Sequence, residues 1–384
     1  MLRAIVAVLL AFLVTALAIL MAGKSPLAAY GAPLRGAFGS LDHVAFALNK
    51  STPYILIAVG IALCFRAGLI NIGGEGQVAM EALAASWVAL HIGGSHVLTI
   101  LLSLAGGVAM GGLWAAIAAA LRLTRGVHEV LSTLLLNFVG VLIVSAALKG
   151  PMGETPASRS IFSRSASLFH GRAPVMRIDL FTALPIPPLS QLPVVGPILF
   201  QQPILTYGAV LLAIALHVFL YRTNAGLVVR ATGENPEAVY AAGHDPVRIR
   251  QLAVIACGAI AGLGGAVLVL QAVGTFTDGM TGGRGFLALA ALIVGRWNPF
   301  GVLLACLVFG AASALEVRVQ GAGLPASSYV VQMLPYVIAL LVLAGLGRRT
   351  RRPQAIGRVS NGLTVARKEI QGLKIGVHKF RWRP

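Results

Sequence analysis

Charge is what this sequence has least of. Only 11% of its 384 residues are charged and 57% are hydrophobic, whereas soluble globular chains carry roughly 25% charged and about 45–50% apolar residues. That balance excludes an ordinary soluble domain and points to an integral membrane protein. Acidic groups are scarcest, with 12 Asp and Glu against 30 Lys and Arg. The resulting net charge of +18 is not read as a nucleic-acid signal, because basic residues in a polytopic chain mark cytoplasmic loops. Three cysteines, Cys64, Cys257 and Cys306, lie in or beside apolar runs without ligand spacing, so neither a disulfide framework nor a metal site is implied. The eight histidines are scattered, with no i, i+3 or i+4 partner that would build a metal centre. Since no catalytic cluster is present either, the chain is expected to be neither an enzyme nor the holder of a cofactor.

Long apolar runs are what the sequence does have. Each crossing needs about 20 apolar residues, and about ten segments qualify: 4–22, 52–69, 77–93, 96–121, 128–148, 204–221, 251–273, 286–296, 299–317 and 328–346. The predicted fold is an all-α polytopic membrane protein. The run from Ala4 to Ala22 reads as an uncleaved helix, since it exceeds a signal core of about 7–15 residues and Gly23-Lys24-Ser25 is a poor cleavage site. Residues 286–296 are too few to cross alone and read as a half-helix or re-entrant piece. GGEGQVAMEALAA (73–85) and GGRGFLALAALIV (282–294) each place a Gly-rich break before a small-residue helix. An inverted repeat of five spans per half would produce that echo; so would composition alone in a Gly- and Ala-rich chain.

Orientation follows from basic residues in the loops. Arg122 and Arg125, Arg222 to Arg250, and Arg348 to Arg352 are separated by even numbers of spans, so they share one face, assigned to the cytoplasm with both termini. The membrane domain then covers 1–353, with a cytoplasmic loop at 222–250. A further loop at 149–203, with the Pro-rich centre PIPPLSQLP, reads as an extracytoplasmic excursion. The basic tail at 354–384 reads as disordered and solvated, with contact to anionic membrane lipid as the alternative.

Within the cytoplasmic loop, ENPEAVYAAG carries helix punctuation at both ends. Asn235 suits the N-cap, Pro236 the first helical position, Glu237 the positive end of the dipole and Gly243 the C-terminal stop. A helix of about seven residues is expected. Isolated helices below about 12–15 residues are marginal in water, so this one must lie along the protein's own surface or dock into a partner. An internal energy source is not expected: Ala18 to Ser25 matches a nucleotide-binding loop only loosely, and the residues before Gly23-Lys24-Ser25 belong to an apolar helix instead of a glycine-rich turn after a strand.

FRAGLINIGGEGQVAMEA, Phe65 to Ala82, interrupts two apolar runs with Arg66, Asn71, Glu75, Gln77, Glu81 and four glycines. Glycines 73, 74 and 76 let the backbone leave helical geometry, and lipid cannot satisfy the freed N–H and C=O groups. Such backbone persists only where it is buried in protein or lines a wet cavity. Asn71, Glu75 and Gln77 therefore indicate a translocation path or a tight polar contact between helices. For Glu75 a hydrated position at the interface, or an ion pair with Arg66, stands as the alternative.

FRAGLINIGGEGQ (65–77), RATGENPEAVYAAG (230–243) and GRGFLALAALIVGRWNPFG (283–301) together resemble the membrane permease of bacterial ABC importers. The resemblance is to the branch for simple sugars and nucleosides, related to ribose and branched-chain amino acid permeases, and it runs from about Pro53 to Gly347. It implies a multi-pass protein of the bacterial cytoplasmic (inner) membrane that pairs with a second permease subunit, identical or not. It further implies a cytoplasmic ABC ATPase that consumes the ATP, and an extracytoplasmic substrate-binding protein or lipoprotein. Carried over by position, Glu234, Asn235, Pro236, Glu237, Tyr240 and Gly243 would belong to the segment seated in the ATPase groove, with Tyr240 as an anchor, and Asn71, Glu75 and Gln77 to the broken-helix region near the substrate path. Residues 155–200 and the tail match no part of that pattern. The rival expectation, an ion-coupled secondary transporter or channel, would use buried carboxylates, for which Glu75, Glu81, Asp278 and Glu316 are the candidates.

Overall fold

A computed structural model describes residues 41–92, 96–149, 184–185, 195–273, 276, 279–321, 335–337, 339 and 353–356, with Leu20 and Met333. The expected spans at 4–22 and 328–346, Asp278, the nucleotide-loop match and the tail beyond 356 lie wholly or mostly outside the described residues.

Helices dominate, as composition predicts. In chain order they are α1 (Leu41–Arg66), α2 (Gly74–His91), α3 (His96–Arg125), α4 (Glu129–Lys149), α5 (Val195–Leu199), α6 (Ile204–Arg222), α7 (Asn224–Glu234), α8 (Pro236–Ala241), α9 (Pro246–Val267), α10 (Arg284–Val294) and α11 (Pro299–Gly321). A π-helical stretch, Leu268–Val273, continues α9. Two-residue strands β1 (Leu184–Pro185) and β2 (Gln201–Gln202) pair antiparallel in the 149–203 loop, with Leu184 opposite Gln202. They are the one departure from an all-α reading among the described residues.

Six of these helices, α1, α3, α4, α6, α9 and α11, are long and apolar enough to cross a membrane. α2 falls short of that standard because Glu75, Gln77, Glu81 and Ser86 interrupt it, although its run is one of the ten expected from sequence. α10 has 11 residues, or about 16 Å at 1.5 Å per residue, half a bilayer core. α1 begins at Leu41, before the expected start at residue 52, because the more polar stretch LDHVAFALNKS is also helical. Pro53 sits inside it.

Burial sorts the helices. The membrane-length window of α1 is 83% buried, whereas those of α4 and α6 are 28% buried. A helix that is apolar on all sides belongs inside a bundle, and one with an exposed apolar face meets lipid or another chain. α4 turns Leu131, Leu135, Phe138 and Leu142 outward. α9 lies against both α1 and α3, and α11 lies against α1. The α3–α9 approach rests on Gly107 and Gly111 facing Gly258 and Gly262: a Cβ on Gly258 would overlap the Gly111 carbonyl oxygen, and one on Gly111 would overlap that of Gly258. Small residues four apart on both helices let the backbones touch, as in small-xxx-small membrane interfaces.

Candidate functional site

Two interrupted helices meet at the centre of the bundle. α1 ends at Arg66, the chain turns through Gly68 at φ 84°, and α2 starts at Gly74. α9 ends in its π-helical stretch, and α10 starts after Gly282 and Gly283, at φ 49° and 72°. The two new N-termini face each other. Gly74 and Glu75 lie against Gly285, where a Cβ would overlap the Glu75 nitrogen. Glu75 bridges the junction: its Oε1 accepts the Gly283 N–H at 2.8 Å and its Oε2 accepts the Gly285 N–H at 2.8 Å. A carboxylate held by backbone amides in the first turn of a helix satisfies orphan donors and meets the positive end of the helix dipole.

The Arg66–Glu75 pair considered from sequence does not form. Arg66 donates its Nε to the Trp297 carbonyl oxygen at 2.6 Å, and Phe65 stacks on the Trp297 ring. Glu75 is buried, not hydrated. Trp297 and Arg296 have φ of 62° and 57°, left-handed conformations that cost non-glycine residues energy and gather at functional turns. They form the tight turn in GRWNPFG between α10 and α11.

Asn71 and Gln77 are brought together beside this crossing. Asn71 Nδ2 donates to Gln77 Oε1 at 3.2 Å and to Cys257 Sγ on α9 at 3.2 Å, while Asn71 Oδ1 accepts the Gly73 N–H at 2.8 Å. The non-helical stretch is also tied to α4. Asn137 Oδ1 accepts the Gly76 N–H at 2.8 Å, Asn137 Nδ2 donates to the Ile72 carbonyl at 2.9 Å, and Thr133 Oγ1 accepts the Ile72 N–H at 3.3 Å. The freed backbone groups of a broken membrane helix thus find partners in protein, as lipid exclusion requires. Sequence reasoning had not singled out Asn137. Its signal was an amide in the apolar run LLLNFVG, since polar groups at membrane depth are functional candidates by default.

Glu81 lies about a turn and a half further along α2. It is fully buried, and neither carboxylate oxygen has a hydrogen-bond partner among the described residues. The glycines at 111 and 265 make room for it: a Cβ on Gly111 would stand 2.7 Å from Oε1, and one on Gly265 would stand 2.9 Å from Oε2.

At the bundle's basic end the loop 222–250 is folded into two helices where one was expected. α7 was missed. Its N-cap is Thr223, whose Oγ1 accepts the Gly226 N–H at 3.0 Å. Arg230 anchors it, donating Nε to the Leu220 carbonyl at 2.7 Å with its guanidinium over the Tyr221 ring. The Thr-Asn-Ala-Gly start was the available signal. α8 forms where expected, as six residues in place of about seven. Asn235 Oδ1 accepts the Ala238 N–H at 3.1 Å, and Pro236 is the first helical residue. Gly243, at φ 86°, ends the helix. Its N–H reaches the Tyr240 carbonyl, and the His244 N–H reaches that of Val239, the paired bonds of a Schellman stop.

Only Val239 of α8 is buried; Glu237, Ala238, Tyr240 and Ala241 are exposed, as are Glu234 and Gly243 on either side. α8 is therefore short, capped at both ends and seated on little more than the Val239 side chain and the half-buried Pro236. The loop is nonetheless bound to the crossing. Gly233, near the end of α7, abuts Arg66 and Gly68 so closely that a Cβ on it would overlap the Arg66 carbonyl oxygen. Arg250, in the second turn of α9, donates Nε to the Ala67 carbonyl at 3.2 Å and Nη2 to that of Thr232 at 3.4 Å.

Comparison with known proteins agrees with this architecture. A family profile described as branched-chain amino acid transport system / permease component matches residues 43–343. The chain is 30% identical over 319 residues to the nucleoside ABC transporter permease protein NupC of Lactococcus lactis, covering 82% of this chain and 95% of the relative. It is 31% identical over 320 residues to the guanosine ABC transporter permease protein NupQ of Bacillus subtilis, 81% and 93% of the two chains. Over 369 residues it is 30% identical to the glucose ABC transporter permease protein TsgB13 of Haloferax volcanii, 93% and 91%. No solved structure matches it significantly. The broken helices, the multi-pass bundle and a profile match spanning nearly all of it lead to one assignment: this chain belongs to the branched-chain amino acid transport system permease component family, whose members are transporter subunits and not enzymes.

Proposed function

We propose that this chain is the membrane permease subunit of an ABC importer that moves a nucleoside or simple sugar, powered by a separate cytoplasmic ATPase seated on α8. The observation that carries this is α8 itself, a six-residue helix that exposes Glu237, Ala238, Tyr240 and Ala241 and is tied through Gly233 and Arg250 to the broken crossing. A helix too short to stand alone in water, presenting Glu237 and Tyr240 outward, suits a docking knob. The names of the relatives supply the solute class.

In this reading ATPase movement tilts α7 and α8, and Gly233 carries the displacement to Arg66–Gly68. From there it reaches the loop holding Asn71 and Gln77, then Glu75 and α10, the segment that borders the substrate path. Ten spans in two inverted halves of five accommodate the layout. α1 and α9 lie against each other, each leads through an interruption into a shorter helix, and those helices meet at Glu75; α3 lies on α9 as α11 lies on α1. The permease works as a dimer in the bacterial cytoplasmic membrane with both termini in the cytoplasm, and it takes its solute from an extracytoplasmic binding protein or lipoprotein. Glu81, fully buried and with no hydrogen-bond partner for its carboxylate among the described residues, favours ion-coupled transport as the second reading.

Purification of the tagged chain from its native membrane tests the proposal. An ATPase is expected to accompany it, and Glu237→Arg is expected to remove that subunit and to cut uptake at least about tenfold, as a reversed rim charge does at an interface. A wild-type chain that carries no ATPase, or a variant that retains it with normal uptake, contradicts the assignment of α8.

A further inference from the structure

The tail returns to the coupling loop. Ala355 is fully buried, its N–H donates to the Gly233 carbonyl at 3.0 Å, and its own carbonyl accepts Nη2 of Arg250 at 3.4 Å. Next to it the Gln354 N–H donates to Glu234 Oε2 at 3.2 Å, and Ile356 lies against the apolar core. One buried guanidinium, that of Arg250, therefore binds three carbonyls from three distant pieces of chain: Ala67 after α1, Thr232 in α7 and Ala355 in the tail. Gly68 completes the seam, since a Cβ there would come within 3.1 Å of Nη2. Burying a guanidinium is costly unless its donors are met, and a planar fork can address several acceptors where an ammonium cannot.

We propose that Arg250 is a positioning residue for transport and that Pro353–Ile356 is a clasp belonging to the coupling apparatus. The clasp grips the end of α7 through Gly233 and Glu234, and it fills the third acceptor position on Arg250. A displacement of α8 is then transmitted to Ala67 and the broken crossing instead of being lost as independent movement of α7. This inference rests on the importer reading above, because it assigns the stretch a part in passing ATPase motion to the membrane domain.

The test measures solute imported per ATP hydrolysed in proteoliposomes holding the complete transporter. Four forms are compared: Arg250→Gln, Arg250→Lys, a chain ending after Arg352 and a chain ending after Gly357. The first three are expected to bind the ATPase and hydrolyse ATP while the transport ratio falls about fivefold to tenfold, within the range of coupling-residue changes. The chain ending after Gly357 keeps the wild-type ratio, because it retains the clasp. Unchanged ratios in both Arg250→Gln and the chain ending after Arg352 overturn the proposal. So does a parallel loss of hydrolysis and uptake, which would mark these groups as structural supports only. If the wild-type vesicles show no ATP-driven uptake at all, the importer reading itself fails and this inference with it, an outcome distinct from an intact transporter whose variants keep their ratio.

Discussion

Glu75→Gln is expected to impair transport while leaving the protein assembled. The carboxylate accepts two backbone N–H groups, from Gly283 and Gly285, one on each oxygen. Glutamine keeps one acceptor and turns an NH2 group toward the other N–H, so one buried amide loses its partner. An unmet buried donor costs about 1–3 kcal/mol, and here the cost falls on the polar contact through which Glu75 joins the start of α2 to the start of α10. The helices remain, because their packing on α1, α3 and α9 is untouched, but the crossing is no longer held in one arrangement. Uptake is expected to fall at least about tenfold, corresponding to roughly 1.4 kcal/mol, with circular dichroism and ATPase association unchanged. Glu75→Asp, one methylene short of the gap, is expected to be similarly impaired. Normal uptake kinetics for Glu75→Gln would remove the residue from the working parts of the protein.

Gly233→Val is expected to separate hydrolysis from import. The residue has no room for a side chain, because the Arg66 carbonyl and the Gly68 nitrogen occupy the space where a Cβ would stand. Overpacking of this kind forces backbone shifts costing about 1–3 kcal/mol. Those shifts pry the end of α7 from the start of the broken segment while α8, one residue beyond Glu234, keeps its caps and its exposed face. The variant is expected to retain the ATPase and its hydrolysis and to lose most solute uptake. Side-by-side assays of both activities check this, and equal retention of both would show that force does not pass through the Gly233–Arg66 contact.

Much of this could be read from the chain, and the reasons are physical. Asn235, Pro236 and Gly243 are local signals whose meaning depends on a few neighbouring residues, so α8 appears where they place it, down to the Schellman bonds at Gly243. The 286–296 run was too short to span, and α10 is indeed a half-length helix. The polar interruption at Asn71–Gln77 is satisfied by protein, as lipid exclusion demands. The partners of those residues were not legible. Glu75 bonds to amides some 208 and 210 positions away, and nothing in the composition near Glu75 distinguishes a backbone partner from a path, a hydrated interface or Arg66. α7 escaped notice because Gly226 and Gly233 weaken its helical propensity, and what holds it is tertiary: Arg230 and α6 on one side, Arg66–Gly68 and Arg250 on the other. Arg250 looked like one more basic loop residue, since burial at a meeting of three carbonyls is a tertiary fact.

A gate driven from outside itself must depend on ATP and not on an ion gradient, and one measurement separates the two. Proteoliposomes are prepared with the chain, its co-purified ATPase and its solute-binding partner, and accumulation of radiolabelled guanosine or glucose is followed with and without ATP. Ionophores that collapse proton and sodium gradients are added in parallel. Accumulation that requires ATP and persists with the ionophores is the predicted result; accumulation driven by an ion gradient without ATP would contradict the account and turn attention to Glu81.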